Sequence, residues 1–199
     1  DMINYFHEDG TRIPPKAALK KPVGEQINFW SRYYGIKHIV PSSCFHYYQR
    51  KDSSWANQFV TDISDYKNQL SPEFKLHPAF IKYDLENDWL EEINPKKNKK
   101  LSLDPEEFGD NWHDPLGREE IKEIERYIRE IESLSIYIDF INFRVGGKDN
   151  LLELNKKNFK RGITFEVPRQ SLVNTVKYEI FDDLLIGNFM KTTLHGDWH

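Results

Sequence analysis

The sequence predicts a mixed fold, an α/β unit leading into an α+β layer. Three observations carry that expectation. Near the front, a helical pattern, a glycine and a short apolar run follow one another, from Lys16 through Gly35 to Val40. Near the back, a charged amphipathic pattern over Leu116 to Ser133 precedes alternating, glycine-punctuated segments that read as a sheet. Between them, residues 94 to 116 are rich in lysine, asparagine and proline, the composition of an exposed connection.

Each element has its own reason. Residues 1–15 carry Asp9-Gly10 and Pro14-Pro15, both turn signals. From Lys16 to Tyr34, Ile27, Trp30 and Tyr34 share one helical face. Pro22 suits a first turn and Gly35 a C′ position. Ile36 to Val40 reads as a short buried strand that stops at Pro41. Ser64 to Leu70 reads as a helical piece and Ala79 to Asp84 as a strand. In the helix over Leu116 to Ser133, the apolar face is Ile121, Ile124, Tyr127, Ile128 and Ile131. Ser135 to Val145 alternates and is expected as a strand, Gly146 to Asn150 as a turn, and Leu151 to Leu154 and Gly162 to Val167 as further strands of a three-stranded antiparallel meander. Pro168 opens a helix through Leu172, Val176 and Ile180, and Asp182-Asp183 leads a second, Leu184 to Met190. The expected division is 1–93, a connection over 94–116, and a smaller domain over 117–199.

Composition narrows the function classes. Aromatics make up 14% of the 199 residues, enough to fill a core although apolar residues total only 38%. A net charge of −4 gives no positive field for nucleic acid, and Lys96-Lys97-Asn98-Lys99-Lys100 lacks the interleaved aromatics of a single-strand site. A single cysteine, Cys44, rules out an internal disulfide and a cysteine-cluster zinc site. No apolar run approaches the roughly 20 residues of a membrane span. A cytoplasmic protein fits these features. Asp1 before Met2 and the close at Asp197-Trp198-His199 read as a piece of a longer protein.

The densest chemistry follows the expected strand end. His46, Tyr47, Tyr48, Gln49, Arg50, Lys51, Asp52 and Trp55 lie within about fifteen residues of Pro41, where α/β proteins gather ligand groups. His46 can reach a metal or a substrate oxygen. Arg50 and Lys51 can clamp a small anionic substrate while Tyr47 or Tyr48 stacks on it. The plainer alternative is a solvated loop whose cations pair with Asp52 or Asp62. One histidine makes no metal site, and the chain has neither a His-x-His-x-Asp-His nor a His-Glu-x-x-His run. A metal would need groups from outside this chain, or from His7, His38, His77 and His113, which are scattered in sequence. Cys44 reads as a buried thiol, Ser42-Ser43 lack a nucleophile elbow, and Gly146-Gly147 lack a phosphate-loop context.

Val40-Pro41-Ser42-Ser43-Cys44-Phe45-His46-Tyr47-Tyr48-Gln49-Arg50-Lys51-Asp52-Ser53-Ser54-Trp55-Ala56-Asn57 resembles the late part of metallo-β-lactamase-fold proteins related to CMP-N-acetylneuraminate hydroxylases. So do Phe165 to Val176 and Phe181 to Met190. The resemblance implies that residues 1 to about 60 complete the second half of an αββα sandwich. It implies that His46 matches the late strand-end histidine that often closes the metal site. The residues from about 117 onward are faintly similar to sterol-carrier domains. It also implies a metal-dependent hydrolase, or a related oxidoreductase, whose zinc or iron is held in the complete protein. The metal-binding half is missing here, so this piece alone is expected to hold no metal and to be inactive. The other reading is a non-catalytic accessory module that binds a lipid, a partner protein or the catalytic half.

Overall fold

The largest sheet is organised by one tight turn. Gly146 and Gly147 both take positive φ, 58° and 72°, the left-handed pair that a two-residue hairpin turn needs. The turn leaves Val145 opposite Lys148 and fixes the register of the strands on either side. A Cβ at position 146 would stand 2.6 Å from the Asp114 carbonyl carbon, so the glycine is also a close approach.

The structure is a computed structural model that describes residues 3–15, 23–42, 46–93, 100–155 and 160–198. In chain order the elements are β1 (Tyr5–His7), α1 (Val23–Tyr34), β2 (His38–Ile39), α2 (Ile63–Lys67), β3 (Lys75–Leu76), β4 (Ile81–Asp84), β5 (Trp89–Glu92), α3 (Arg118–Glu130), α4 (Leu134–Tyr137), β6 (Phe140–Val145), β7 (Lys148–Glu153), β8 (Gly162–Glu166), α5 (Arg169–Tyr178), α6 (Phe181–Ile186) and β9 (Lys191–His195). Two compact units share the chain. One comprises Asp1–Ala17, Tyr48–Ala56 and Ser102–His199; the other comprises Ala18–Tyr47 and Asn57–Leu101.

The first unit is a mixed five-stranded sheet in the order β1-β9-β8-β6-β7. β6 pairs antiparallel with β7 and parallel with β8; β9 pairs antiparallel with β8 and parallel with β1. Ile141, Phe143 and Val145 alternate along β6 into a core with Leu152, Phe165 and Met190. Ile124 and Ile128 of α3, Leu172 of α5 and Leu184 of α6 fill it from the helices. Arg169 of α5 holds Glu120 of α3 through a forked pair, at 2.9 Å and 2.6 Å. The bond from Arg169 keeps the Glu120 carboxyl below its usual range against the opposing pull of burial.

The second unit is built differently. α1 packs on α2, closely enough that a Cβ on Gly24 would stand 2.2 Å from the Asn68 carbonyl oxygen. Asn28 fixes that approach: its Nδ2 donates to the Gln69 carbonyl at 2.8 Å, and its Oδ1 accepts from the Ser71 N–H at 2.8 Å. β2 and β3 form a parallel pair, and β4 and β5 form a hairpin. The buried positions described in this unit are Gly24, Ser31, Pro41 and His77. None of them is a large apolar side chain, so the unit has no apolar core among its described residues.

Several expectations need correction. The three-stranded antiparallel meander is instead part of the five-stranded mixed sheet, because β8 returns parallel to β6 after the hairpin. Ser135 to Val145 is not one strand: Leu134–Tyr137 is a helical turn, and the strand starts at Phe140. Ile136 and Tyr137 alternate in sequence but are 76% and 66% exposed, so burial does not hold them in a strand. The run Ile36 to Val40 is strand only at His38–Ile39, with Ile36 and Val40 exposed rather than buried. On α1, Trp30 and Tyr34 face outward. Residues 1–15 contain a strand, β1, and the expected second C-terminal helix ends at Ile186 before β9. Residues 48–56 and those from 102 onward belong to one unit. Lys16, Pro22 and residues 94–99 lie outside the described residues.

The core placement has a direct test. Leu172→Ala removes a side chain with 0% exposure and should cost about 2–5 kcal/mol in urea unfolding. Ile136→Ala should stay within about 0.5 kcal/mol, as a surface change does. A large loss at Ile136 would restore the long strand.

Candidate functional site

The loop between Pro41 and Trp55 holds the residues that the sequence marked for chemistry, and the structure places them unequally. His46 is exposed, and Ser43, Cys44 and Phe45 beside it lie outside the described residues. The Tyr47 ring is 40% exposed, with the Lys100 ammonium 4.8 Å from its centroid. Those two belong to the second unit, whereas Tyr48, Arg50 and Lys51 belong to the first.

Arg50 is the centre of the first unit's polar network. Its Nε and Nη2 donate to Asp52 at 3.0 Å and 2.8 Å in a forked pair. Its Nη1 donates to Asp110 Oδ2 at 3.0 Å and, more weakly, to Ser171 Oγ at 3.4 Å. The guanidinium carbon lies 3.9 Å from the centroid of the Phe189 ring, within cation–π range. Burial pulls the Arg50 pKa down, but the bonds and charges of Asp52 and Asp110 outweigh it and leave it raised. The two carboxylates leave the cluster one negative charge in excess. Neutral donors answer it: Trp112 Nε1 donates to Asp52 at 3.1 Å, and the Ser171 hydroxyl to Asp110 at 2.6 Å. The Ser171 backbone N–H donates to the other Asp110 oxygen at 3.1 Å, so Asp110 caps the first turn of α5 from a distant loop.

Backbone pairing holds the Arg50 segment in place. Lys51 N–H donates to the Leu103 carbonyl at 3.0 Å, and Leu103 N–H to the Gln49 carbonyl at 2.8 Å. Lys51 Nζ pairs with Asp104 at 2.7 Å on the surface. Asn188 Nδ2 donates to the Tyr48 hydroxyl at 2.9 Å, and Asn188 Oδ1 accepts from Ile3 N–H at 2.8 Å. Asn188 is 1% exposed and sits at φ 55°, a conformation asparagine tolerates better than most residues.

A second polar cluster lines the sheet face opposite the core. Thr164 Oγ1 and His195 Nε2 are 2.8 Å apart, and His195 Nδ1 is 3.5 Å from Glu8. The order hydroxyl, imidazole, carboxylate is that of a nucleophile with its base. Thr164 is only 6% exposed, however, so its oxygen has no path to a substrate. Beside it, Asn142 Oδ1 is a buried acceptor with no hydrogen-bond partner among the described residues.

Among the described residues no group of three or more His, Cys, Asp or Glu side chains is placed to hold a metal ion, and no helix is long and apolar enough to cross a membrane. A pocket of about 70 Å³ is lined by Leu116, Ile121, Ile124, Phe143 and Leu152 among others. It is smaller than the roughly 150 Å³ cavity that admits benzene, so it holds no lipid chain as it stands. Sequence reading anticipated Arg50 as a binding residue and named Asp52 as one partner. It missed Asp110, Trp112, Ser171 and Phe189, although Asp110-Asn111-Trp112 inside a polar stretch was a signal. The chain matches no family model, no curated protein and no solved structure.

Asp110→Ala strips both Arg50 and Ser171 of a carboxylate. Because the Arg50 side chain keeps 27% exposure, the expected loss is about 2–3 kcal/mol, below the cost of breaking a fully buried pair. Ser171→Ala should cost about 1 kcal/mol. Urea unfolding of both variants checks this, and equal small losses would make the network ornamental.

Proposed function

We propose that this chain is part of a metallo-β-lactamase-fold, metal-dependent hydrolase, and that its first unit is an accessory layer of that enzyme. One observation carries the reading. The three stretches that resemble the family, 40–57, 165–176 and 181–190, are far apart in sequence but supply a single network. Arg50 and Tyr48 come from the first, Ser171 from the second, and Asn188 and Phe189 from the third. Resembling stretches that build one polar centre support a common ancestry of the whole arrangement, and the activity comes with the resemblance. In this reading Arg50 and Lys51 hold the scaffold, because each cation already has a carboxylate partner. Contact with a small anionic substrate then falls to the exposed side of the loop, with Tyr47 and His46. The metal is zinc or iron, and His46 is the ligand this chain contributes.

The test uses the longer protein that contains the upstream metal-binding half. His46→Ala should lower its metal content and its turnover at least about tenfold, with the fold unchanged by circular dichroism. Unchanged metal and unchanged turnover would sink the reading.

A second reading is favoured by α1. Phe29, Trp30, Tyr33 and Tyr34 are 60%, 53%, 71% and 66% exposed on one short helix. A contiguous apolar surface of this kind marks an interaction site, here for a partner protein or the catalytic half. Trp30→Ser with Tyr33→Ser should leave this chain folded and abolish its co-purification with the proposed upstream half expressed as a separate polypeptide. Undiminished association would remove α1 from the interface.

A further inference from the structure

His38 and His77 stand far apart in sequence and meet on one strand pair. β2 and β3 run parallel, with His38 opposite Lys75 and Ile39 opposite Leu76. His77 follows β3 directly, and its backbone N–H donates to the Ile39 carbonyl at 2.9 Å. His38 Nδ1 lies 2.9 Å from His77 Nε2. The ring planes differ by 8° and the centroids are 5.1 Å apart. Centroids that distant with nitrogens that close place the rings edge to edge in nearly one plane, one nitrogen aimed at the other. Two neutral imidazoles can share that proton, whereas two imidazoliums cannot.

Burial and nearby charge both act on His77. His77 is 4% exposed, and its pKa is lowered by burial first and then by the charges of Lys75 and His38. The Tyr83 ring of β4 lies 5.4 Å from the His38 ring and 5.8 Å from the His77 ring. Its hydroxyl donates to Asp88 in the β4–β5 turn. Asp88 is a nearby negative charge, and Lys75 opposes it.

We propose that His38 and His77 form a two-histidine chelate for a borderline divalent transition ion, zinc, nickel or copper, completed by water. At a zinc–nitrogen bond of about 2.0–2.1 Å, two tetrahedral ligand nitrogens stand roughly 3.4 Å apart. The observed pair therefore needs to open by only about 0.5 Å, with each ring turned to aim at a common point. His38 is exposed and lies on a two-residue strand, so it is free to make that turn, and the ion enters from its side. Two protein ligands give an exchangeable ion and no permanent structural metal. Imidazole donors discriminate against magnesium and calcium, which take oxygen ligands. The site uses the second unit alone and does not depend on the hydrolase reading.

Isothermal titration of the chain at neutral pH with zinc chloride, and separately with magnesium chloride, tests this. The expected result is one zinc per chain and no magnesium binding. His38→Ala should weaken zinc at least about tenfold, while His7→Ala with His113→Ala should not. His38 is exposed, so its replacement leaves the fold intact, which circular dichroism verifies. Proton resonances of the His38 and His77 rings should shift together on adding zinc. Absence of zinc binding, or zinc binding that His38→Ala leaves unchanged, overturns the site. So does zinc binding controlled by His46→Ala instead, which would assign the ion to the loop.

Discussion

The first unit depends on what is done with the Arg50 guanidinium. A cation partly withdrawn from water is costly unless its donors find acceptors. Here Asp52 takes one edge, Asp110 takes a third nitrogen, and the Phe189 ring covers the flat surface. Arginine suits this position where lysine would not, since only a planar fork can meet two carboxylates and a ring at once. Each partner has a second duty. Asp52 receives the Trp112 indole, and Asp110 caps α5 through Ser171. A side chain from a nine-residue excursion thereby ties together a loop, a helix start and the approach to β9. The backbone pairing of residues 49–51 with Leu103 explains how the excursion enters the unit at the right height.

The two units obey different physics. In the first, alternate residues of β6, β7 and β8 and the inner stripes of α3, α5 and α6 bury a continuous apolar core. In the second, side-chain and backbone hydrogen bonds do the positioning. Asn28 clamps α1 to the turn after α2, Arg32 Nε donates to Glu73 at 2.9 Å, and Asp84 closes its turn by accepting from the Glu86 and Asn87 N–H groups. Such bonds contribute about 1 kcal/mol each, far less than a buried core gives. A unit of this kind needs apolar cover to be stable, and the aromatic surface of α1 is where cover would act.

The helices were the legible part of the fold. The α3 stripe was readable because isoleucines at helical spacing stand among charges, and Ile124 and Ile128 are indeed buried. Pro168 marks the start of α5 and Gly146-Gly147 mark the hairpin for reasons local to the backbone. Strand partners were not readable. β1 is three residues long and pairs with β9 across almost the whole chain, a long-range choice with no local signature. The parallel return of β8 beside β6 was hidden for the same reason. Ser135 to Tyr137 misled because alternation alone does not bury a strand, and those side chains point to solvent. At the candidate site the loop itself was legible as a concentration of His, Tyr and Arg. Its partners were not, because Asp110 and Ser171 are 60 and 121 positions away from Arg50.

That contrast bears on where function can sit. Arg50, the residue of the loop with the richest chemistry, spends its donors inside the protein. A ligand would have to replace a carboxylate that already makes a short, charged bond, which is a poor exchange. The histidines that looked incidental in sequence are the ones left with a nitrogen turned to a nitrogen. A hydrogen bond between two imidazoles satisfies one lone pair with one proton. A divalent ion satisfies two lone pairs, and the shared proton passes to the other nitrogen of its own ring, so that both imidazoles stay neutral. Neighbours that keep His77 neutral lower the proton's competition for the same lone pair. The free energy needed to open the pair is small because His38 sits on a strand of two residues with water on its outer side. Chemistry in this chain is therefore better placed on the second unit, which lacks an apolar core among its described residues, than on the first, where Arg50 and Lys51 already have carboxylate acceptors.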